Sequence, residues 1–197
     1  MTYLFIDTCN SFIVSIIKNN EIIYINKDSS NTDTSSKVMP IIDEAFRNTN
    51  LNIEDIDKIF VVNGPGSFTG IRVGVTIAKT ISYSLNIPLI KLSELELLAT
   101  TPTSNYNVPV IDARRGYVYG AIYDKDLNIY FNESHILFEE LKTKLPSDYN
   151  IVDNYDNIDL IKLIQKHEND NPINPHELKP NYLKNTEAEE KLNDQRV

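Results

Sequence analysis

Only one cysteine, Cys9, occurs in 197 residues. This excludes an intrachain disulfide and a cysteine metal cluster, and makes the cytoplasm the expected compartment. Histidine is nearly as scarce. His135, His167 and His176 are scattered, with no HxxxH or HExxH pair to set two imidazoles on one helix face, so no metal centre is expected. Long apolar runs are missing too: FIVSII and IFVV are far too short to cross a bilayer. The opening MTYLFIDT has neither a basic segment nor a small-residue cleavage site, so no signal peptide is expected. Positive charge is in deficit, with 19 Lys and Arg against 28 Asp and Glu and a net charge of -9. A chain this acidic lacks the electrostatic footprint to grip nucleic acid or an anionic membrane unaided, and any contact with RNA needs a basic partner.

What is present reads as strands and helices in a definite order. TYLFIDT, FIVSIIK and EIIYIN are three strands, the last two joined by Asn19-Asn20, which suits a tight primed turn because Asn tolerates positive φ. SSKVMPIIDEAFRNTN has helical spacing, and Pro40 places its start near Ser35 or Ser36. DKIFVVN is a fourth strand, and a glycine-rich stretch then leads into a second helix ending near Leu85. IPLIKL is a fifth strand. SELELLAT opens a third helix with Ser93 and Glu96 in capping-box spacing. Residues 100–107 read as the link between an N-terminal lobe, residues 1–100, and a smaller C-terminal lobe, residues 101–197. The second lobe starts with two strands joined at Arg114-Arg115-Gly116 and ends in an irregular tail, frayed beyond Lys184. Hairpin strands followed by strand–helix alternation imply mixed sheets covered by helices, an α/β fold.

The glycine stretch, NGPGSFTGIRVGVTIAKT at residues 63–80, holds Gly64, Gly66, Gly70 and Gly74 of the chain's six glycines. It is not a P-loop, because no lysine lies inside it, and the spacing misses both the dinucleotide fingerprint and the nucleophile elbow. A strand, a tight turn and a helix N-terminus capped by Ser67 or Thr69 remain. Free amides there can hold an anion, so Gly64, Gly66, Ser67, Thr69 and Gly70 are the candidate anion or nucleotide contacts. The helix that follows is apolar over an arc of roughly 200° at 100° per residue. A helix on one sheet needs a stripe only somewhat over ~100° wide. Gly70, Gly74 and Ala78 recur every four residues and let another backbone come close. The surplus apolar surface packs either on this chain's own second lobe and first helix or on a partner with the same helix pair.

GPGSFTGIRVGVTIAKT, with LFIDT, SSKVMPIIDEAF, DARRGYVYGAIYD and KPNYLK in order around it, resembles the TsaB family, the non-catalytic dimerisation subunits of the bacterial machinery that makes threonylcarbamoyladenosine on tRNA. The resemblance implies an actin/hexokinase/Hsp70-like ATPase fold of two lobes, each a mixed β-sheet with covering helices. It implies pairing with TsaD, the catalytic subunit that modifies adenosine 37, with the ATPase TsaE joining the complex and a homodimer when alone. In the family the contact is made by the two helices of the first lobe. Here these would offer Met39, Ile42, Asp43 and Phe46 from the first, and Ile71, Arg72, Gly74, Val75, Ala78, Lys79 and Ser82 from the second. Ala78→Glu or Val75→Arg is then expected to abolish pairing and leave the fold intact.

ATPases of that fold also need a second glycine-rich segment in the other lobe. None lies beyond Gly120, so no cofactor of its own is expected, although ATP or ADP can sit at the seam with TsaD. Two enzyme readings compete. One is a small stand-alone phosphotransferase or ATPase using Asp7, Ser67 and Asp112. The other is a metalloprotease, which the missing histidine pair disfavours.

Overall fold

The computed structural model of the chain describes residues 1–28, 34–102 and 105–184. The continuous apolar run of β1 (Thr2–Asp7) is buried on both faces, which makes it a central strand. Antiparallel β2 (Phe12–Lys18) lies on one side of it, and β3 (Glu21–Asp28) forms the exposed edge beyond. Asn19 and Asn20, at φ 53° and 64°, form the primed turn expected between them. On the other side β4 (Lys58–Val62) and β5 (Leu89–Leu92) run parallel to β1, giving the order β3-β2-β1-β4-β5. A second sheet, β8-β7-β6-β9, is built from β6 (Tyr106–Asp112), β7 (Tyr117–Asp124), β8 (Ile129–Leu137) and β9 (Tyr149–Val152).

Helices α1 (Thr34–Thr49) and α2 (Phe68–Leu85) pack together against the first sheet. Pro40 stands inside α1 rather than in its first turn. Ser36 and Pro40 are both exposed, so the interrupted hydrogen-bond ladder faces water while Val38, Ile42 and Ala45 anchor the opposite side. The Ser67 side chain caps α2 by accepting from the Gly70 amide, and Asn86 ends it in the left-handed conformation. Short α3 (Glu94–Ala99) is buried along its length between the sheets, against β6 and β7. Helix α4 (Phe138–Lys142) packs on β8, and α5 (Leu160–His167) on α3.

The large core is not confined to the first sheet. Tyr123, Leu163, Ile164 and Leu178 from the later part of the chain join it, whereas the second sheet's own cluster is only Val108, Val118, Ile122, Ile136 and Leu141 with their partly buried neighbours. Among the described residues after α5 there is no helix or strand, yet this segment stays attached: Ile173 N donates to Leu89 O at 2.9 Å on the edge of β5. The loop expected before α1 and the link at 100–107 lie partly, and the frayed end beyond Lys184 wholly, outside the described residues.

Candidate functional site

The glycine-rich turn is filled by the chain itself. A Cβ on Gly70 would lie 1.9 Å from the backbone oxygen of Thr8, and one on Gly74 would lie 2.4 Å from the Thr8 hydroxyl. That hydroxyl donates to Gly70 O at 2.7 Å, and Ser67 N donates to Cys9 O at 3.0 Å. Glycine at these steps of α2 therefore lets the turn after β1 dock directly on the helix backbone. Gly64, at φ 120°, makes a different approach: a Cβ there would sit 2.1 Å from Asn181 O, in the C-terminal segment. The close approach implied by the Gly70–Gly74–Ala78 row is real, and the backbone that makes it belongs to this chain.

This row fixes which side of α2 faces inward and corrects part of the expected partner contact. Ile71, Gly74, Val75, Ala78 and Ser82 lie in the interior, with Ala78 0% and Val75 3% exposed, and Ser82 Oγ donates to Ile87 O at 2.6 Å. Ile42 and Phe46 of α1 are buried likewise. Charge at Ala78 or Val75 would strike the fold itself, not only a contact with another chain. Met39, Asp43 and Arg72 are exposed, and Lys79 is half-buried with its ammonium on Leu178 O. A shallow groove of about 580 Å³ runs between the helices, lined by Met39, Phe68, Arg72, Val73, Thr76 and Ile77 with Ser35 and Thr69. Phe68, Val73, Thr76 and Ile77 were missed in the sequence. For Phe68 and Thr76 the signal was available: they lie far around the helix from the small-residue row and so face away from the surface that the row touches.

A separate cleft of about 440 Å³ lies where the glycine turn faces the turn between β6 and β7. Asn10, Gly66, Ser67, Thr69, Asp112 and Arg114 are among its lining residues. Gly64 and Gly70 do not open into a cradle, being closed by Asn181 and Thr8, and Ser67 Oγ is engaged by the Gly70 amide. One arginine, one carboxylate and no lysine line the cleft, so these residues alone do not make a phosphate site. Asp112 Oδ1 accepts from Arg114 N at 2.8 Å, which is a turn contact. The structure thus brings Ser67 and Asp112 to one cleft and leaves Asp7 out of it.

Asp7 is fully buried, its carboxylate accepting from Cys9 N at 2.8 Å and from the Ser11 hydroxyl. Beside it stands Glu94, also fully buried, which accepts from the Tyr155 hydroxyl. Burial first, and then their mutual repulsion, raise the pKa of Glu94 well above the usual carboxylate range; burial also raises that of Asp7. Glu94 Oε2 meets no hydrogen-bond donor, so the raised pKa values favour a protonated acid at this pair. Burial and the adjacent acids push the Cys9 thiol up as well, leaving it inert. Asp7, Cys9 and Glu94 are the one trio among the described residues with metal-ligand atoms within 4.8 Å of one another. Sealed from solvent and easily protonated, it suits a shared proton better than an ion. Glu94 and Tyr155 carry no sequence signal for this arrangement, because they meet Asp7 only through folding.

A second polar cluster fastens α5 to α3. Glu96 receives Lys166 Nζ and His167 Nε2, both at 2.9 Å, and His167 Nδ1 meets Asp170 at 2.7 Å. Burial alone would lower the His167 pKa, but the two carboxylates outweigh it and raise it.

The chain is similar to proteins of known family. The model of the family described as TsaD, tRNA N6-adenosine threonylcarbamoyltransferase, matches residues 28–190. The tRNA threonylcarbamoyladenosine biosynthesis protein TsaB of Bacillus subtilis is 38% identical over 131 residues, 62% of this chain and 55% of that protein. A tRNA N6-adenosine threonylcarbamoyltransferase of Clostridioides difficile is 30% identical over 105 residues, 45% of this chain and 31% of that protein. The chain spans about half the length of the TsaB relatives it matches, 55% and 52% for two of them. Among solved structures, YeaZ from Pseudomonas aeruginosa superimposes with a TM-score of 0.77 at 16% identity, over 92% of this chain and 99% of that one. The two mixed sheets with their helices are the actin/hexokinase/Hsp70-like fold that the sequence resemblance implied.

Proposed function

The chain belongs to the family of the tRNA N6-adenosine threonylcarbamoyltransferase TsaD, in its TsaB branch, and from that premise we propose that it is a non-catalytic subunit supporting threonylcarbamoyladenosine formation on tRNA. Its partner is the catalytic TsaD subunit, a relative with which it shares part of its sequence. TsaE joins through the complex, and a second copy of this chain takes the partner's place when it is absent. The contact is the outward side of the helix pair, centred on the groove between Met39 of α1 and Phe68, Val73 and Ile77 of α2. Partly apolar and edged by Arg72, it has the make-up of a protein contact.

The observation that carries the non-catalytic reading is the state of the glycine turn. Thr8 packs against Gly70 and Asn181 against Gly64, so the turn is filled by the chain itself, and Asp7 is sealed beneath it beside a second buried acid. Any ATP or ADP is held at the seam, with the partner supplying the phosphate cradle. The net charge of -9 leaves tRNA to be gripped by the other subunits. The competing phosphotransferase reading retains Ser67 and Asp112 in the cleft but lacks Asp7 there.

Co-expression with the TsaD of the same organism, followed by light-scattering sizing, calorimetry with ATP and a tRNA modification assay, tests the proposal. The expected result is a heterodimer that modifies tRNA, with no ATP bound by the isolated chain. Micromolar ATP binding and turnover by this chain alone would favour the phosphotransferase.

A further inference from the structure

Residues 168–184, the described part of the chain after α5, hold no helix or strand, yet this segment runs along α2 through specific contacts. Leu178 is its buried anchor, and Lys79 Nζ donates to its carbonyl at 3.1 Å. Asn63 then clamps the segment twice: its side-chain amide donates to Lys179 O at 2.9 Å, and its carbonyl accepts from Asn181 N at 2.7 Å. This clamp is where Gly64 has no room for a side chain against Asn181 O. The clamp delivers Tyr182 to the first turns of α2. The Tyr182 ring stacks on Phe68, with centroids 5.1 Å apart and planes 23° apart, and its hydroxyl accepts from Arg72 Nε at 2.8 Å. The Arg72 guanidinium also lies 3.8 Å from the centre of the Phe68 ring.

Phe68 and Arg72 are both exposed and both line the groove assigned above to the partner. An exposed arginine ordinarily samples many rotamers, and ordering it on binding costs affinity. Here the side chain is already fixed by a ring below and a hydroxyl beside it. Its intrachain hydrogen bond uses Nε, and its two Nη nitrogens make none among the described residues. A guanidinium so held is shaped to receive a carboxylate.

We propose that Tyr182 is a positioning residue for the docking face: carried there by the Asn63–Asn181 clamp, it orients Phe68 and Arg72 so that Arg72 receives a carboxylate of the partner subunit. The inference rests on the docking-face reading and assigns the C-terminal segment a part in it. A fold-stabilising role alone would not require the hydroxyl, which Tyr182→Phe removes while keeping the stacked ring.

Two readouts test it. In nitrogen-15 NMR of the isolated chain, the Arg72 Nε–H signal is slow to exchange with solvent in the wild type and fast in Tyr182→Phe. In titrations with the catalytic TsaD subunit, Tyr182→Phe and Arg72→Gln each weaken binding by about tenfold, the cost of one charge-assisted hydrogen bond. The two together weaken it by much less than the product, because they act through one contact. Ile77→Arg, in the same groove but away from the sandwich, is the control for the face itself. If Ile77→Arg abolishes binding while Tyr182→Phe binds like the wild type, the face stands and the positioning role of Tyr182 is overturned. If Ile77→Arg binds like the wild type, the face and the positioning role both fall.

Discussion

The two sides of α2 differ more than any two lobes of the molecule. The inward side presents Gly70 and Gly74 to the chain's own turn after β1, at separations that leave no space for a methyl group, with Ala78 buried one turn further on. The outward side presents Phe68, Arg72, Val73, Thr76 and Ile77 to a groove and is only partly covered. A wide apolar arc is thus two surfaces with different obligations. Small residues mark where backbones must touch, and that contact was satisfied within the chain. Larger residues further round the helix line the groove proposed as the docking face.

Substitutions on the two sides should separate sharply. The largest effect is expected for Ala78→Glu, which places a charge where exposure is 0%; an uncompensated buried charge costs about 3–5 kcal/mol. Thermal unfolding should show a protein that is unfolded or close to it at 37 °C. Ile77→Arg, at the preceding residue, which is only half-buried, should cost distinctly less than Ala78→Glu. Equal destabilisation by the two would erase the distinction between the sides.

Next in size is Gly70→Ala. Its methyl group would meet the Thr8 backbone oxygen at 1.9 Å, and backbone cannot swing aside as a flexible side chain can. The expected loss is at or beyond the top of the ~1–3 kcal/mol range for overpacked cores, measured by urea unfolding. Ordinary helix propensity predicts the reverse, since alanine in place of glycine stabilises an exposed helix by roughly 1 kcal/mol.

Glu94→Gln should act in the stabilising direction. Glu94 N donates to Gly64 O at 2.9 Å, so this acid lies directly beneath the glycine turn. The folded-state pKa of Glu94 is raised well above 4.5 and that of Asp7 above 3.8. A carboxyl group with a raised folded pKa contributes its stability below the unfolded pKa and loses it as pH rises through the folded one. Wild-type stability should therefore decline as pH climbs from the carboxylate range towards neutrality. The glutamine variant keeps a donor beside Asp7 without that ionisation. It should be more stable than the wild type at pH 8 and show a flatter profile, read from melting temperatures between pH 4 and pH 8. A variant less stable than the wild type at pH 8 would show that the buried pair is not held by a shared proton.

Much of this architecture was legible in the sequence. The Asn19-Asn20 hairpin, the strand before the glycine turn and the capped helix after it all follow from local spacing and turn chemistry, and they appear where expected. Pro40 lies deeper in its helix than the sequence implied, because packing of one face outweighed a broken hydrogen bond on the other. Which side of α2 the chain itself covers was not legible, for a physical reason. Hydrophobicity reports how much surface wants cover and not whose surface provides it, and the covering segments, residues 8–10 and 178–182, are distant in sequence. The Asp7–Glu94–Tyr155 contact was hidden for the same reason.

The central claim, that the outward side of α2 is the docking face, is tested most directly by thiol labelling of Thr76→Cys. The native thiol, Cys9, is fully buried and raised in pKa, so it stays silent as a background. Maleimide should label the new cysteine readily in the isolated chain, and at least about tenfold more slowly once the catalytic subunit is bound, as expected for a site inside a well-packed contact. Complex formation with no change in the labelling rate at residue 76 would contradict the account.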